Sequence, residues 1–284
     1  MIRLTGVTYS YPDAEQPALR DVNLAVDAGE ILGIVGASGA GKTTLAKIIT
    51  GFIPHVDGGD LAGSVVVDGS DVAGMRLADS VAKVGLVLQN PFNQISGAKY
   101  TVRDEIAFGL ENVGVPREEM LRRVLDVARL LGITDLLGRS PYDLSGGQQQ
   151  LVAIASMVVL RTPVLVMDEP TSQLDPLGTR MVFHVLEALR AAGTTVVVFE
   201  HKVELLAEHC DRVAVVAEHT LAAVGLPGEV FVDDRLDGWG IGATRFTRAA
   251  REAVRRGLLP VRSALPVTVE DAMATFGRGR GVRS

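Results

Sequence analysis

The sequence predicts an α/β fold organised around a parallel sheet, and three observations predict it. VLVMD at 164–168 and TTVVVFE at 194–200 are continuous apolar runs, the pattern of strands buried on both faces, and a helical stretch over 177–191 separates them. Glu30 is followed by ILGIV, a third buried run, then a glycine-rich loop, then the helical spacing of LAKIIT after Thr44. Between residues 101 and 160 the hydrophobic period changes to that of helices.

The elements follow in order. IRLTGVTYSY and GSVVVDG cluster β-formers around turn signals, so residues 2–35 and 64–69 read as an antiparallel layer. VRDEIAFGLENVG, PREEMLRRVLDVARLLG with Pro116 at a first helical position, and GGQQQLVAIASMVVL read as a helical insert. After about Gly225 the composition turns to Gly, Pro and Arg, with one helix expected over 244–256 and a disordered end at GRGRGVRS. No long internal repeat is visible.

Composition narrows the class. The chain has 284 residues, of which 47% are hydrophobic, enough for a large core. Acidic residues outnumber basic ones, 34 to 28, for a formal charge of −6, which disfavours general nucleic-acid binding. Cys210 is the only cysteine, which excludes an internal disulfide and fits a reducing compartment. MIRLTGVTYS lacks a basic-then-apolar leader, and the best apolar run, 151–160, is too short to cross a bilayer. Membrane association is therefore expected only through a partner.

Two motifs carry chemistry. GASGAGKTT at 36–44 fits G-x-x-x-x-G-K-[ST]: Gly36, Gly39 and Gly41 let backbone N–H groups curl around phosphate, with Ser38, Ala40 and Thr44 completing the loop. Lys42 is placed for the β/γ oxygens and Thr43 for Mg²⁺. The helix that follows directs its positive end and free amides at the anion. VLVMDE then brings Asp168 and Glu169 to a strand's carboxyl end, the ligand crevice of open α/β sheets. Asp168 suits Mg²⁺ and Glu169 suits an attacking water, because phosphoryl transfer depends on positioning and charge stabilisation. The second string, LSGGQQQ at 144–150, places Ser145 to cap a helix beginning at Gly146, and its two glycines leave free N–H groups open to an anion.

With these motifs in this order, residues 1–230 resemble the ATPase subunits of ABC (ATP-binding cassette) proteins. The resemblance implies a RecA-like core, an antiparallel β subdomain and a helical signature subdomain at about 95–160, with 231–284 as an extension carrying a basic helix and a flexible tail. It implies ATP and Mg²⁺ as ligands and a head-to-tail dimer in which Ser145, Gly146, Gly147 and Gln148 of one copy meet the γ-phosphate held by Lys42 of the other. Tyr11 matches the aromatic that stacks on adenine, although Tyr9, two places earlier, is an alternative. Gln89 matches the glutamine that senses Mg²⁺ and water, Asp175 the loop crossing the dimer interface, and His201 the histidine that contacts γ-phosphate. The resemblance thus assigns catalysis to Lys42, Gln89, Glu169 and His201, and metal binding to Thr43, Gln89 and Asp168.

Finer features, GFIPHVDGGDLAGSVVVDG and QNPFNQ at 89–94, resemble the ATPases of energy-coupling factor importers for vitamins and transition metals. That branch implies a second ATPase subunit, a transmembrane coupling protein docked beside Gln89 and the helical insert, and a small membrane-embedded substrate subunit. It puts the chain on the cytoplasmic side of the membrane, with no nucleic-acid partner. Leu151, Gln173 and Glu200 depart from the commonest ABC pattern without removing a catalytic group. The rival readings are the ATPase of a conventional importer, a soluble ABC protein acting on DNA or ribosomes, and a noncatalytic regulatory subunit. Arg245, Arg248, Arg251, Arg255 and Arg256 surround Phe246, Ala249, Ala250, Ala253 and Val254 in an amphipathic pattern, read first as a solvated arginine face and otherwise as a contact with a second subunit or anionic lipid.

Overall fold

Alternating burial makes the first layer one-sided. In the computed structural model, which describes residues 1–261 and 264–277, strand β1 (Ile2–Ser10) buries Ile2, Leu4, Val7 and Tyr9, and β2 (Leu19–Val26) buries Leu19, Val22, Leu24 and Val26. Most of the intervening residues face outward, the period-two pattern of a half-solvated sheet. β4 (Asp60–Val67) and β5 (Ser70–Asp71) complete an antiparallel sheet of order β2-β1-β4-β5.

β3 (Ile31–Gly36) leaves this layer, which corrects the reading that extended the antiparallel sheet to residue 35. All six of its residues are buried, so no face is left for water and it belongs inside a doubly covered sheet. The second sheet has the order β10-β9-β3-β8-β7-β6, formed with β6 (Val84–Val87), β7 (Val164–Asp168), β8 (Thr195–Phe199), β9 (Arg212–Ala217) and β10 (Thr220–Gly225). Its pairs are parallel except for β10, an antiparallel edge on β9. The register sets Phe199 opposite both Ile34 and Asp168, and Val87 opposite Met167. The carboxyl ends of β3, β6, β7 and β8 therefore share one edge, and whatever follows them in sequence converges there.

The helices Val102–Asn112, Arg117–Leu130 and Gly146–Val158 pack through Ile106, Leu110, Val124, Ala128, Val152 and Ile154 into the same core as Met167 and Val196. Pro116 stands one place earlier than expected, as the extended residue before the helix, at φ −58° and ψ 142°. Leu151, where an arginine often follows the signature, packs half-buried against this core.

The C-terminal segment is more integrated than its Gly/Pro/Arg composition predicts. Phe231, Leu236, Ile241, Ala243 and Val267 all enter the main core. The helix Arg245–Arg255 is capped by Thr244, and a second helix, Val269–Gly277, was not anticipated. Its arginines are partly engaged: Arg251 donates to Val232 O at 2.8 Å and pairs with Asp234, while Arg255 and Arg256 pair with Glu252. From Arg278 onward, the expected disordered end lies outside the described residues. Cys210 is buried beneath β3, and burial pushes its thiol pKa far up, which makes it a packing group rather than a nucleophile. Among the described residues no helix is long and apolar enough to cross a membrane.

Candidate active site

The loop after β3 reaches the shared edge first. Gly41, at φ 107°, precedes the helix Lys42–Ile49, and a Cβ there would lie 2.7 Å from Ala18 O, so only glycine fits. Ser38 and Gly39 are exposed at the tip while Ala40 and Thr44 anchor the loop inward. Lys42 is nearly buried and donates through Nζ to Gly36 O at 2.9 Å and Ala37 O at 3.2 Å. Burial lowers its pKa, and the negative charges of Glu169 and Asp168 oppose that shift.

Asp168 ends β7 and accepts a hydrogen bond from Thr43 Oγ1 at 2.9 Å. Burial raises its pKa; the Thr43 bond and Lys42 oppose the rise, and Glu169 adds to it. Glu169 follows at φ 49°, a left-handed backbone that costs a non-glycine residue about 1–3 kcal/mol and that here turns its carboxylate along the sheet edge. Its Oε2 accepts from Gln89 Nε2 at 2.6 Å, and its Oε1 lies 2.7 Å from His201 Nε2. Gln89 and His201 therefore hold Glu169 from two sides. Gln89 in turn sits on a braced loop: Gln94 accepts from Leu88 N at 3.0 Å and donates to Leu86 O at 3.2 Å, and the buried Gln150 reaches Leu88 O at 3.5 Å.

Tyr11 and Tyr9 part company. Tyr9 is fully buried and donates to Gly58 O, whereas Tyr11 stays half-exposed just past β1 with its hydroxyl 3.1 Å from Thr44 Oγ1. Tyr11 is the open ring beside the loop, backed edge-on by Tyr9 at 4.9 Å between centroids.

The signature residues are not gathered into this cluster. Ser145 and Gln148 form a reciprocal capping box at the start of the helix Gly146–Val158, with Ser145 N donating to Gln148 Oε1 at 3.0 Å. Gly146 is shielded by Gln173, whose Oε1 would sit 2.7 Å from an added Cβ. Among the described residues, none of Ser145 to Gln148 hydrogen-bonds to residues 36–44. Asp175 caps the helix Pro176–Ala191 by accepting from Gly178 N at 2.7 Å and is likewise apart from the loop.

The donor set suits Mg²⁺ carried in with a phosphate ligand. Thr43 and Asp168 offer hard oxygens within hydrogen-bond distance of each other, while among the described residues no group of three or more His, Cys, Asp or Glu could hold a metal alone. Mg²⁺ keeps waters and takes phosphate oxygens with one or two protein ligands, so such an incomplete set is what it uses. Gln89, expected in that set, donates through Nε2 to Glu169, a bond that engages its amide nitrogen and not its carbonyl oxygen.

A family described as ABC transporter matches residues 19–172. The chain belongs to the ABC transporter family. It is 42% identical over 232 residues to an energy-coupling factor transporter ATP-binding protein of Lacticaseibacillus paracasei, covering 81% of each chain. Its fold matches cbiO1 of Clostridium perfringens, part of the ABC transporter complex cbiONQ, with a TM-score of 0.73 and 28% identity over 90% of this chain and 94% of that one. It also matches the ATP-binding cassette MJ0796, solved as a dimer with ADP and phosphate, at TM-score 0.70 and 28% identity over 80% of this chain and 99% of that one. This ABC cassette is accordingly an α/β ATPase that binds and hydrolyses ATP.

Sequence reasoning passed over two side chains that shape the site. Gln94 braces the Gln89 loop, and Glu200, noted only as a departure from pattern, proves to be buried with three donors on its carboxylate. The available signal for Glu200 was its place, an acid between a buried strand end and His201.

Proposed function

We propose that this chain is the ATPase of an energy-coupling factor type importer, working in pairs at the cytoplasmic face of a membrane to drive uptake of a vitamin or transition metal ion. The observation that carries the motor part is the clamp of Gln89 and His201 on Glu169, beside a lysine and a Thr43–Asp168 pair. Tyr11 stacks on the base, and the amides of Gly36 to Thr44 with Lys42 take the phosphates, Lys42 exchanging loop carbonyls for β/γ oxygens. Thr43 and Asp168 hold Mg²⁺, which when bound neutralises phosphate charge. Glu169 orients and polarises the attacking water, kept in place by Gln89, and His201 bridges Glu169 to the γ-phosphate. Ser145, Gly146, Gly147 and Gln148, left to themselves in one chain, complete the site of a second subunit, and Asp175 lies on the segment between the two.

The importer branch rests on the similarity to the Lacticaseibacillus protein and on the surface beside Gln89. There Phe92 and Tyr142 meet at 6.5 Å between ring centroids while remaining 61% and 53% exposed. Two large aromatics joined in the open, between the Gln89 loop and the helical insert, suit the cytoplasmic helix of a transmembrane coupling protein. The test is purification of the tagged chain from its native membrane in mild detergent, with mass spectrometry of what accompanies it. A polytopic coupling protein with small hydrophobic substrate subunits is the expected result. An extracytoplasmic binding-protein system would move the chain to a conventional importer, and ribosomes or DNA complexes would overturn the transport reading.

A further inference from the structure

Glu200 is 3% exposed at the end of β8, and none of the roles assigned above uses it. We propose that Glu200 is a positioning residue for hydrolysis, tying the His201 backbone to the turn after Glu169 so that imidazole and carboxylate stay paired. Its Oε1 accepts a short hydrogen bond from the hydroxyl of Thr171, which is fully buried. Its Oε2 accepts from His201 N at 2.8 Å and Lys202 N at 3.3 Å. Lys202 closes the ring from the other side, donating through Nζ to Thr171 O at 3.1 Å and Thr179 Oγ1 at 3.3 Å. Glu169 N adds a further tie to Phe199 O at 3.0 Å.

The geometry explains why the ring is needed. Among the described residues the exposed imidazole of His201 makes one side-chain hydrogen bond, to Glu169, so a single contact fixes its direction at the ring. The rest of its aim comes from its backbone, and the carboxylate next to it restrains that backbone through His201 N. The same carboxylate grips Thr171, two residues after the strained Glu169. One buried acid thus fixes the separation between the two segments that bear the pair. A water-filled gap in its place would let either segment shift, and hydrolysis is sensitive to small misplacement.

This inference rests on the hydrolytic roles given to Glu169 and His201. The test measures ATP turnover and nucleotide affinity of the full chain with Glu200→Ala, Glu200→Gln and Thr171→Val, and with Glu200→Ala placed on His201→Ala, reading residual turnover with enzyme in excess. Glu200→Ala is expected to lower kcat about tenfold or more while ATP affinity stays within about twofold. Glu200→Gln should restore most of the rate, since its carbonyl can accept both backbone N–H groups and its amide can donate to the Thr171 hydroxyl. Thr171→Val, which keeps shape and removes the hydroxyl, should lower kcat in the same direction if Glu200→Ala fails to fold. On the His201→Ala background the loss from Glu200→Ala should shrink to about twofold or less, because a residue acting through His201 has nothing left to position. Equal losses in both backgrounds, or an unchanged kcat in Glu200→Ala, would overturn the proposal. If His201→Ala and Glu169→Gln themselves keep full turnover, the parent assignment fails with it; if they lose turnover and Glu200→Ala does not, only this inference falls.

Discussion

The phosphate loop and the signature helix are both glycine-rich helix starts, yet one is cross-linked by side chains from distant strand ends and the first turn of the other is held by its own capping box. Around the loop, side chains from four strand ends interlock: Thr43 with Asp168, Gln89 and His201 with Glu169. At the signature, Ser145 and Gln148 bond to each other, and Gln173 leans on Gly146. The difference teaches that two glycine-rich helix starts in one chain can be held in different ways, one by side chains gathered from separate strands and the other by its own first turn.

The largest effect should fall on the cross-linked face. Glu169→Gln keeps the shape of the residue and one acceptor oxygen for Gln89 or His201 but removes the carboxylate, so ATP turnover is expected to drop roughly 10²–10⁴-fold with nucleotide binding retained. Normal hydrolysis in that variant would break the assignment. Next comes Lys42→Ala, which takes one charge-assisted contact from the phosphates, worth about 1.5–3 kcal/mol, or roughly 10–100-fold in MgATP affinity by calorimetry. Ser145→Ala probes the other face. It should cost about 1 kcal/mol of local stability through the lost cap, leave MgATP affinity of the isolated chain unchanged, and lower turnover only where two subunits meet. A loss of affinity at low protein concentration would erase the contrast between the two regions.

The smallest effect is a pH dependence. Burial raises the Asp168 pKa, so on acidification this carboxylate takes up its proton at a higher pH than an ordinary aspartate. Mg²⁺-dependent nucleotide binding should therefore weaken as pH falls through that raised value, whereas Mg²⁺-independent binding should hold. For stability the sign is the reverse: the native state holds this proton more tightly than the unfolded chain. Its stabilising contribution is present below the unfolded pKa and lost as pH rises through the folded one.

Much of this contrast was legible in the letters. The strand at 164–168 and the helix that runs Pro176–Ala191 were readable because their apolar patterns are long and local. The placement of Ile31–Gly36 was not, because its partners Val196 to Phe199 and Arg212 to Val216 lie more than a hundred residues on and β-runs do not state which sheet they join. Phe231, Leu236 and Ile241 escaped notice because their spacing follows neither period, interrupted as it is by charged residues and glycines. At the site, motif strings named Lys42, Thr43, Asp168 and Glu169, but a string has no way to say that Gln89 and His201 would close on one carboxylate. Nor does it say that Tyr9 would vanish into the core while Tyr11 stayed open.

A contact joins the C-terminal segment to the phosphate loop. Gly240, at φ 71°, abuts the phosphate loop so closely that a Cβ there would lie 3.2 Å from the Cβ of Ala37. The cradle for nucleotide is thus walled on one side by a segment far beyond every sequence motif that defines it. Trimming the polypeptide to those motifs would leave the loop without its backstop, and a hand laid on the C-terminal end would be a hand on the cradle.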